Sequence, residues 1–486
     1  MYDIIIIGAG AVGTSIARSL SRYQLSVALI ERENDVSMGA TKANSAIVHG
    51  GFAESHSKVK GRLCYKGRKQ FDRLNQELNF GFDKIGSLVL AFEDEQLSKL
   101  KELYENGLKN GLDDLEILNH DQIMNLEPNV NPEVKHALYC KGAGVCCPFS
   151  YAIALAENAV ANGVKLYLNT EISAIKKEAD HFILYDQHQN TYQSKFAINC
   201  AGVQSDQVEQ MVGLNTFTIT PRSGEYMLMV RGSGKIANTV LFQMPTKMGK
   251  GILVSPTYYG NLIIGPDAVN LNTGDKDTHT DRLLNIYQQA RHTTDKINIK
   301  QFIRSFTGVR AVSSTDDFVI EKTAVKGFIN CGGIQSPGLT SSPAIADMVL
   351  DLLEQEGCQF NDDPNFDPHR KPIIERKTLL PSHEIEPLIE LESSPEKVIC
   401  RCEQVAQATI VDAMNRGIPV TTVDGIKRRT RAGMGWCQGG FCRERVVAVM
   451  ENVLGHPVDP GFDIEHSGIN RIGKNEIVDY INSHLE

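Results

Sequence analysis

The chain has 486 residues, 42% hydrophobic and 22% charged, which is more than one small domain needs and an ordinary globular balance. A formal net charge of −9 supplies no basic field for nucleic acid, and no apolar run reaches membrane-spanning length. Eleven cysteines, with no basic leader ahead of the first apolar run, point to a reducing, cytoplasmic setting where clustered thiols suggest metal more than disulfides.

The first element is the apolar strand in "YDIIIIGAGAVGTSIARSL", which runs into a helix through Gly8, Gly10 and Gly13. Gly8 suits a tight turn, Gly10 lets backbone approach a pyrophosphate, and Gly13 permits close helix packing. The helix N-terminus offers free N–H groups to the phosphates. A second strand, "SVALIERE", ends on Glu31, placed to accept both hydroxyls of an adenosine ribose. The stretch "SMGATKANSAIVHGGF" is small, polar and glycine-rich, as expected of a loop that wraps a ligand. Much later, "FAINCAGVQSD" reads as a strand ending in a turn at Ala201 and Gly202, and "GFINCGGIQSPGLTSSPAIADMVLDLL" as strand, glycine turn and helix. Strand-to-glycine crossings this far apart predict one nucleotide domain built from 1–85, 146–214 and 321–355, a discontinuity that suits FAD better than a nicotinamide dinucleotide. The expected flavin contacts are Thr41, Asn44 and Ser45 in the first loop, Ala201 and Gly202 in the second, and Gly333, Gly338, Leu339 and Thr340 in the third.

Between these segments, 86–145 and 215–320 carry alternating runs such as "YMLMV" and "NLIIGPD", predicting an antiparallel-sheet substrate domain. The fold class expected is therefore α/β: a discontinuous Rossmann-like FAD domain, a sheet domain above it, and a small helical C-terminal unit.

The strings "TKANSAIVHGGF", "GKGILVSPT", "TGVRA" and "GGIQSPGLTSSPAIA" resemble the glycerol-3-phosphate oxidase and dehydrogenase branch of the D-amino-acid-oxidase-like flavoproteins, over about residues 1–355. The L-2-hydroxyglutarate oxidases are similar to a lesser degree. The resemblance implies oxidation of a secondary alcohol, with His49 as base because imidazole titrates near working pH. It implies Arg310 and Lys250 as anchors for an anionic substrate such as glycerol-3-phosphate. Ser336 either touches substrate or caps the following helix, and Arg222 reads as a solvated surface group. A structural, backbone-bonded His49 is the alternative to the base, and a flavin that merely docks partners is the alternative to an enzyme.

Residues 356–397, rich in Pro, Asp and Glu, read as a linker. In 398–486, "EQVAQATIVDAMNRG" has helical spacing with a stop at Gly417, a second helix leads to "GMGWCQGGFC", and "RERVVAVMENVLG" begins a third. Cys400, Cys402, Cys437 and Cys442 fall in two tight pairs, expected in turns at helix ends, where four thiolates can hold a [2Fe–2S] cluster. Zinc in a four-cysteine site is the rival occupant. Lys427, Arg428, Arg429 and Arg431 are expected to offset the cluster's charge or to attract an acidic partner. This region resembles the bacterioferritin-associated-ferredoxin-like [2Fe–2S] domain, and the tail of the anaerobic glycerol-3-phosphate dehydrogenases. That resemblance implies an electron-acceptor protein or partner subunit, with peripheral contact at the inner face of a membrane through such a partner. Without it, direct transfer to oxygen stays open. Cys64, Cys140, Cys146, Cys147, Cys200, Cys331 and Cys358 read as buried small hydrophobes.

Overall fold

A computed structural model describes residues 1–244, 251–271, 275–374, 378–392 and 394–484. The opening strand Tyr2–Ile7 pairs in parallel with Val27–Ile30 on one side and Thr191–Asn199 on the other. Ile4, Ile5 and Ile6 are all fully buried, which is why the strand reads as an unbroken apolar run: both faces of a parallel sheet are covered. Lys165–Tyr167 extends the sheet beyond Val27–Ile30, and Phe328–Gly332 pairs in parallel with the end of Thr191–Asn199. The hairpin Ile172–Lys177 and Phe182–Asp186 closes one edge. Helices Ala11–Leu20, Pro148–Ala161 and Gly338–Gln355 pack over this sheet, burying Ile16, Ile153 and Ile345 against Ile4 and Leu29.

A second sheet of nine strands carries Ser87–Ala91, Leu115–Asn119 and His136–Cys140 from the first insertion and the remaining strands from the second. It is antiparallel except at one junction, where Val240–Gln243 runs parallel to Ser87–Ala91 and joins the two insertions. Its longest pair, Ile219–Met229 against Phe302–Ser313, sets Arg222 opposite Arg310.

Residues 356–374 run along the body: Asp362 bridges to Tyr23, and the buried Arg370 donates to Glu157 at 2.6 Å. The cysteine-bearing unit has its own core of Ile399, Ile410, Val420, Ile426, Val446 and Met450. It contains helices Gln407–Met414, Val423–Thr430 and Arg443–Leu454. Two features differ from the sequence reading. Cys400 ends a short strand, Val398–Cys400, that pairs with Val405–Ala406, so the first cysteine pair follows a strand and not a helix. The last helix, Lys474–Ser483, leaves this unit and buries Ile477 and Ile481 in the core of the second sheet beside Ile286 and Phe302. Among the described residues no helix is long and apolar enough to cross a membrane.

Candidate active site and cysteine centre

The glycine loop is shaped by contact. Gly8 has φ +102, and a Cβ there would lie 2.4 Å from the Cys200 carbonyl oxygen; one on Gly13 would lie 1.9 Å from the Gly8 oxygen. A Cβ on Gly10 would meet only Thr41 Oγ1, at 3.3 Å, so the loop stays open on that face. Thr41 Oγ1 accepts from Ala11 N at 3.0 Å, and the helix Ala11–Leu20 begins with no side-chain cap and no acid in its first turn. An anionic diphosphate fits such a start. Glu31 accepts from Ala9 N (2.8 Å) and Glu33 N (3.1 Å); burial raises its pKa while these two N–H groups oppose the rise.

Asn44 works within its own loop. Its amide donates to the Ala40 and Thr41 carbonyls and its oxygen accepts from Ala46 N at 2.7 Å, holding Ala46 at φ +63. Ser45 instead reaches out to hydrogen-bond the hydroxyl of Tyr226.

His49 follows the two-residue strand Ile47–Val48. Its backbone N–H donates to Thr340 Oγ1 at 2.9 Å, its Nε2 lies 3.3 Å from Ser336 Oγ, and its ring stacks on Phe242 at 5.9 Å between centroids. Ser336 therefore does not cap the next helix, whose N-cap is Pro337 with no side-chain cap; it is a neighbour of the imidazole. Thr340 is fully buried and pins the His49 loop, so its hydroxyl is a support and not a wall of the site.

Arg310 projects from Phe302–Ser313 and donates to the carbonyls of Asp267 (3.2 Å) and Ser223 (3.5 Å). It also hydrogen-bonds Tyr226, whose ring stacks on Phe306 at 4.9 Å. Burial raises the Tyr226 pKa, against the pull of Arg310 and Ser45. Arg222 turns away and donates to Asn270 at 2.7 Å. Lys250 lies outside the described residues. Tyr226, Phe242, Tyr258 and Tyr259 were not singled out from sequence; in it they are only apolar positions of alternating strands.

His49, Ser336, Arg310, Tyr226, Tyr258 and Tyr259 share one cavity of about 870 Å³ with the glycine loop. Gly8, Gly10, Glu31, Thr41, Asn44 and Ser45 line its nucleotide end, with Ala201 and Gly202. His49, Ser336, Gly338, Leu339 and Arg310 line its other end, while Gly13, Gly333 and Thr340 stand behind the wall. On the wall, Lys427 Nζ is buried, 3.6 Å from the Asp424 carboxylate and over the Phe462 ring at 4.4 Å. Burial pushes Lys427 down to about 7 and Lys42, also on the wall, to about 8. A cavity with an open glycine loop at a helix N-terminus suits an anionic ligand such as a flavin dinucleotide.

The four clustered cysteines form two pairs, matched outer with outer and inner with inner. Cys402 Sγ and Cys437 Sγ are 3.7 Å apart, and the Cys400 and Cys442 thiols hydrogen-bond each other. That hydrogen bond, with N–H groups of Gly433 and Glu403 aimed at the sulfur, brings the Cys400 pKa down to about 7 against burial. Burial takes Cys402 up to about 11. A Cβ on Gly435 would sit 2.2 Å from Cys402 Cβ, so the loop needs glycine there to close on the thiol. Among the described residues no three His, Cys, Asp or Glu side chains converge on one point to hold a single ion. The four thiols are the donor set of a [2Fe–2S] cluster and equally of a four-cysteine zinc site. The seven scattered cysteines are buried and form no disulfide among the described residues.

The basic run is turned inward. Arg428 and Arg429 both pair with the buried Asp35 of the nucleotide domain, at 2.8 and 2.7 Å, and Arg431 and Arg231 pair with Glu403 at 2.9 and 3.3 Å. It clamps the cysteine unit to the body and does not face a partner. Met434 and Gln438, in the cysteine loop, consequently line the same cavity as His49.

A family model described as FAD dependent oxidoreductase matches residues 3–352. The chain belongs to that family. A second model, a BFD-like [2Fe-2S] binding domain, matches residues 398–452 of this flavoprotein. The glycerol 3-phosphate dehydrogenase of Caloramator mitchellensis is 44% identical over 457 residues, 94% of this chain and 95% of that protein. The glycerol 3-phosphate oxidase of Mycoplasma genitalium is 32% identical, over 75% of this chain and 98% of its own. The FAD-bound L-alpha-glycerophosphate oxidase of Mycoplasma pneumoniae matches in structure with a TM-score of 0.73 at 29% identity, covering 77% of this chain and 99% of that one. About three-quarters of the flavoprotein thus spans a whole oxidase, and the cysteine unit is additional.

Proposed function

We propose that this flavoprotein oxidises sn-glycerol-3-phosphate to dihydroxyacetone phosphate and exports the electrons through a [2Fe–2S] cluster to a partner protein. The observation that carries the reading is that one cavity is walled by the glycine loop, by His49 and Arg310, and by Met434 and Gln438 of the cysteine loop. The dehydrogenase relative, similar over nearly its whole length, supports the substrate.

His49 Nε2 takes the C2 hydroxyl proton, and Ser336 Oγ orients the imidazole. Arg310, its fork aimed by two carbonyls, holds the phosphate and so fixes C2 relative to His49. When bound, FAD accepts the C2 hydride, and the cluster, held by Cys400, Cys402, Cys437 and Cys442, takes electrons singly.

An anaerobic absorbance titration tests the reading. Glycerol-3-phosphate bleaches the flavin at low concentration and L-2-hydroxyglutarate does not. The reverse order would assign the dicarboxylate reaction, and bleaching by neither would leave a flavin that docks partners.

A further inference from the structure

The cysteine loop faces two ways. Met434 and Gln438 look into the flavin cavity, whereas Trp436 and Phe441 point outward and are 49% and 48% exposed. Each outward aromatic immediately precedes a cluster cysteine, Cys437 or Cys442, and Trp436 is the chain's single tryptophan. Cys437 and Cys402 are the partly exposed thiols, so the accessible edge of the cysteine centre lies beside Trp436.

The surroundings of these rings are basic. Arg401 and Arg445 stack on Phe441 at 4.7 and 4.6 Å, and Lys474 sits over Trp436 at 3.0 Å. None of the three enters an ion pair among the described residues. Arg443 is neutralised by Glu465 at 3.0 Å, and the exposed acids nearest in sequence are Glu444, beside Arg445, and Glu476, in the same helical turn as Lys474. On a chain of net charge −9 this face is locally positive, and an exposed aromatic pair with an arginine rim has the composition of an interface.

We propose that the outer face of the cysteine loop, with Trp436 and Phe441 ringed by Arg401, Arg445 and Lys474, is the docking face for an acidic electron-acceptor protein. The proposal rests on the reading that electrons leave through the cluster. It replaces the buried basic run as the element that meets the partner. Two aromatics and three cations make a small, fast-exchanging contact, the kind electron-transfer partners form, in which charge sets the encounter rate. Each encounter oxidises the reduced cluster by one electron and reduces the acceptor by one, so two encounters clear one alcohol oxidation. No bond forms or breaks at this face; of the alcohol's two protons, the hydroxyl one leaves through His49 and the one carried as hydride is released to solvent as its two electrons depart.

Calorimetric titration of the FAD- and iron-loaded protein with an acidic flavodoxin and with basic cytochrome c reads docking apart from turnover. Flavodoxin is expected to bind, cytochrome c to bind at least about tenfold more weakly, and the preference to shrink as salt rises to about 0.15 M. Arg401→Glu/Arg445→Glu should weaken flavodoxin roughly tenfold or more and reverse the preference. Trp436→Ser should weaken it without changing the salt dependence, with iron content and substrate bleaching of the flavin unchanged in both variants. No flavodoxin binding, equal binding of the two proteins, unaltered affinity in both variants, or displacement by phosphatidylglycerol vesicles would overturn the proposal. If Cys437→Ser reduces flavodoxin as fast as the parent protein, the export reading fails, and the binding data still judge the surface.

Discussion

His49 is fixed from three directions: Thr340 holds its backbone, Ser336 meets Nε2, and Phe242 lies against the ring. The support at the backbone is independent of the imidazole, so His49→Asn should keep the loop and retain FAD. Flavin reduction by substrate should slow by about two to four orders of magnitude, read by anaerobic stopped-flow. Ser336→Ala removes one long hydrogen bond and should cost no more than about tenfold in the same measurement. A His49→Asn protein that bleaches at the parent rate makes the histidine structural. At Arg310 the planar fork is the feature that matters, since two donors are already aimed by the carbonyls of Ser223 and Asp267. Arg310→Lys keeps the charge and loses that aim, so KM should rise more than tenfold with a smaller change in kcat. A KM within about twofold would remove Arg310 as the phosphate anchor.

At the scale of elements, the segment Val423–Thr430 is the clamp. Asp35 is nearly fully buried between Arg428 and Arg429, and Asp35→Ala would leave Arg429 without a carboxylate and Arg428 with only Asp463, at 3.3 Å. Breaking such a pair costs about 3–5 kcal/mol, and the loss should appear as hydrogen exchange and proteolysis within 398–452 while the Rossmann-like sheet stays protected. Burial raises the Asp35 pKa, but Arg429 and Arg428 outweigh it and hold the value down at about 2. A depressed acid of this kind contributes fully above its unfolded value of about 4 and loses that contribution as pH falls through about 2. Docking should therefore be unchanged from neutral pH to about 4 and weaken below that, and weakening on the alkaline side would contradict the assignment. The glycine loop, the strand ends and the three tail helices were legible in the sequence because their signals are local: one glycine spacing, one apolar period, one stop. The clamp was not, because Arg428 finds Asp35 across 393 positions, and a basic run looks the same whether it faces solvent or a buried acid. For the same reason Ser336 remained ambiguous until its distance to His49, 287 positions away, was known.

Across the whole molecule, the proposed flavin site and the cysteine loop share one cavity. The corner that holds His49 and Arg310 lies between the Rossmann-like sheet and the nine-stranded sheet, and the cysteine loop supplies part of the far wall. The second insertion and the tail, far apart in the sequence, meet there because the cysteine unit is clamped through Asp35 and through Glu403 to Arg231, and its last helix is anchored in the second sheet. The most direct test of the proposed division between flavin and cluster is anaerobic stopped-flow of Cys437→Ser beside the parent protein, mixing each with glycerol-3-phosphate and then with an acceptor protein. The parent should carry about two irons per chain, and the variant little or none. Flavin bleaching should proceed at the same rate in both, and acceptor reduction should collapse only in the variant. Equal acceptor reduction in the two proteins, or a parent holding one zinc and no iron, would contradict the account and make the cysteine unit a structural clasp on an enzyme whose flavin is reoxidised directly.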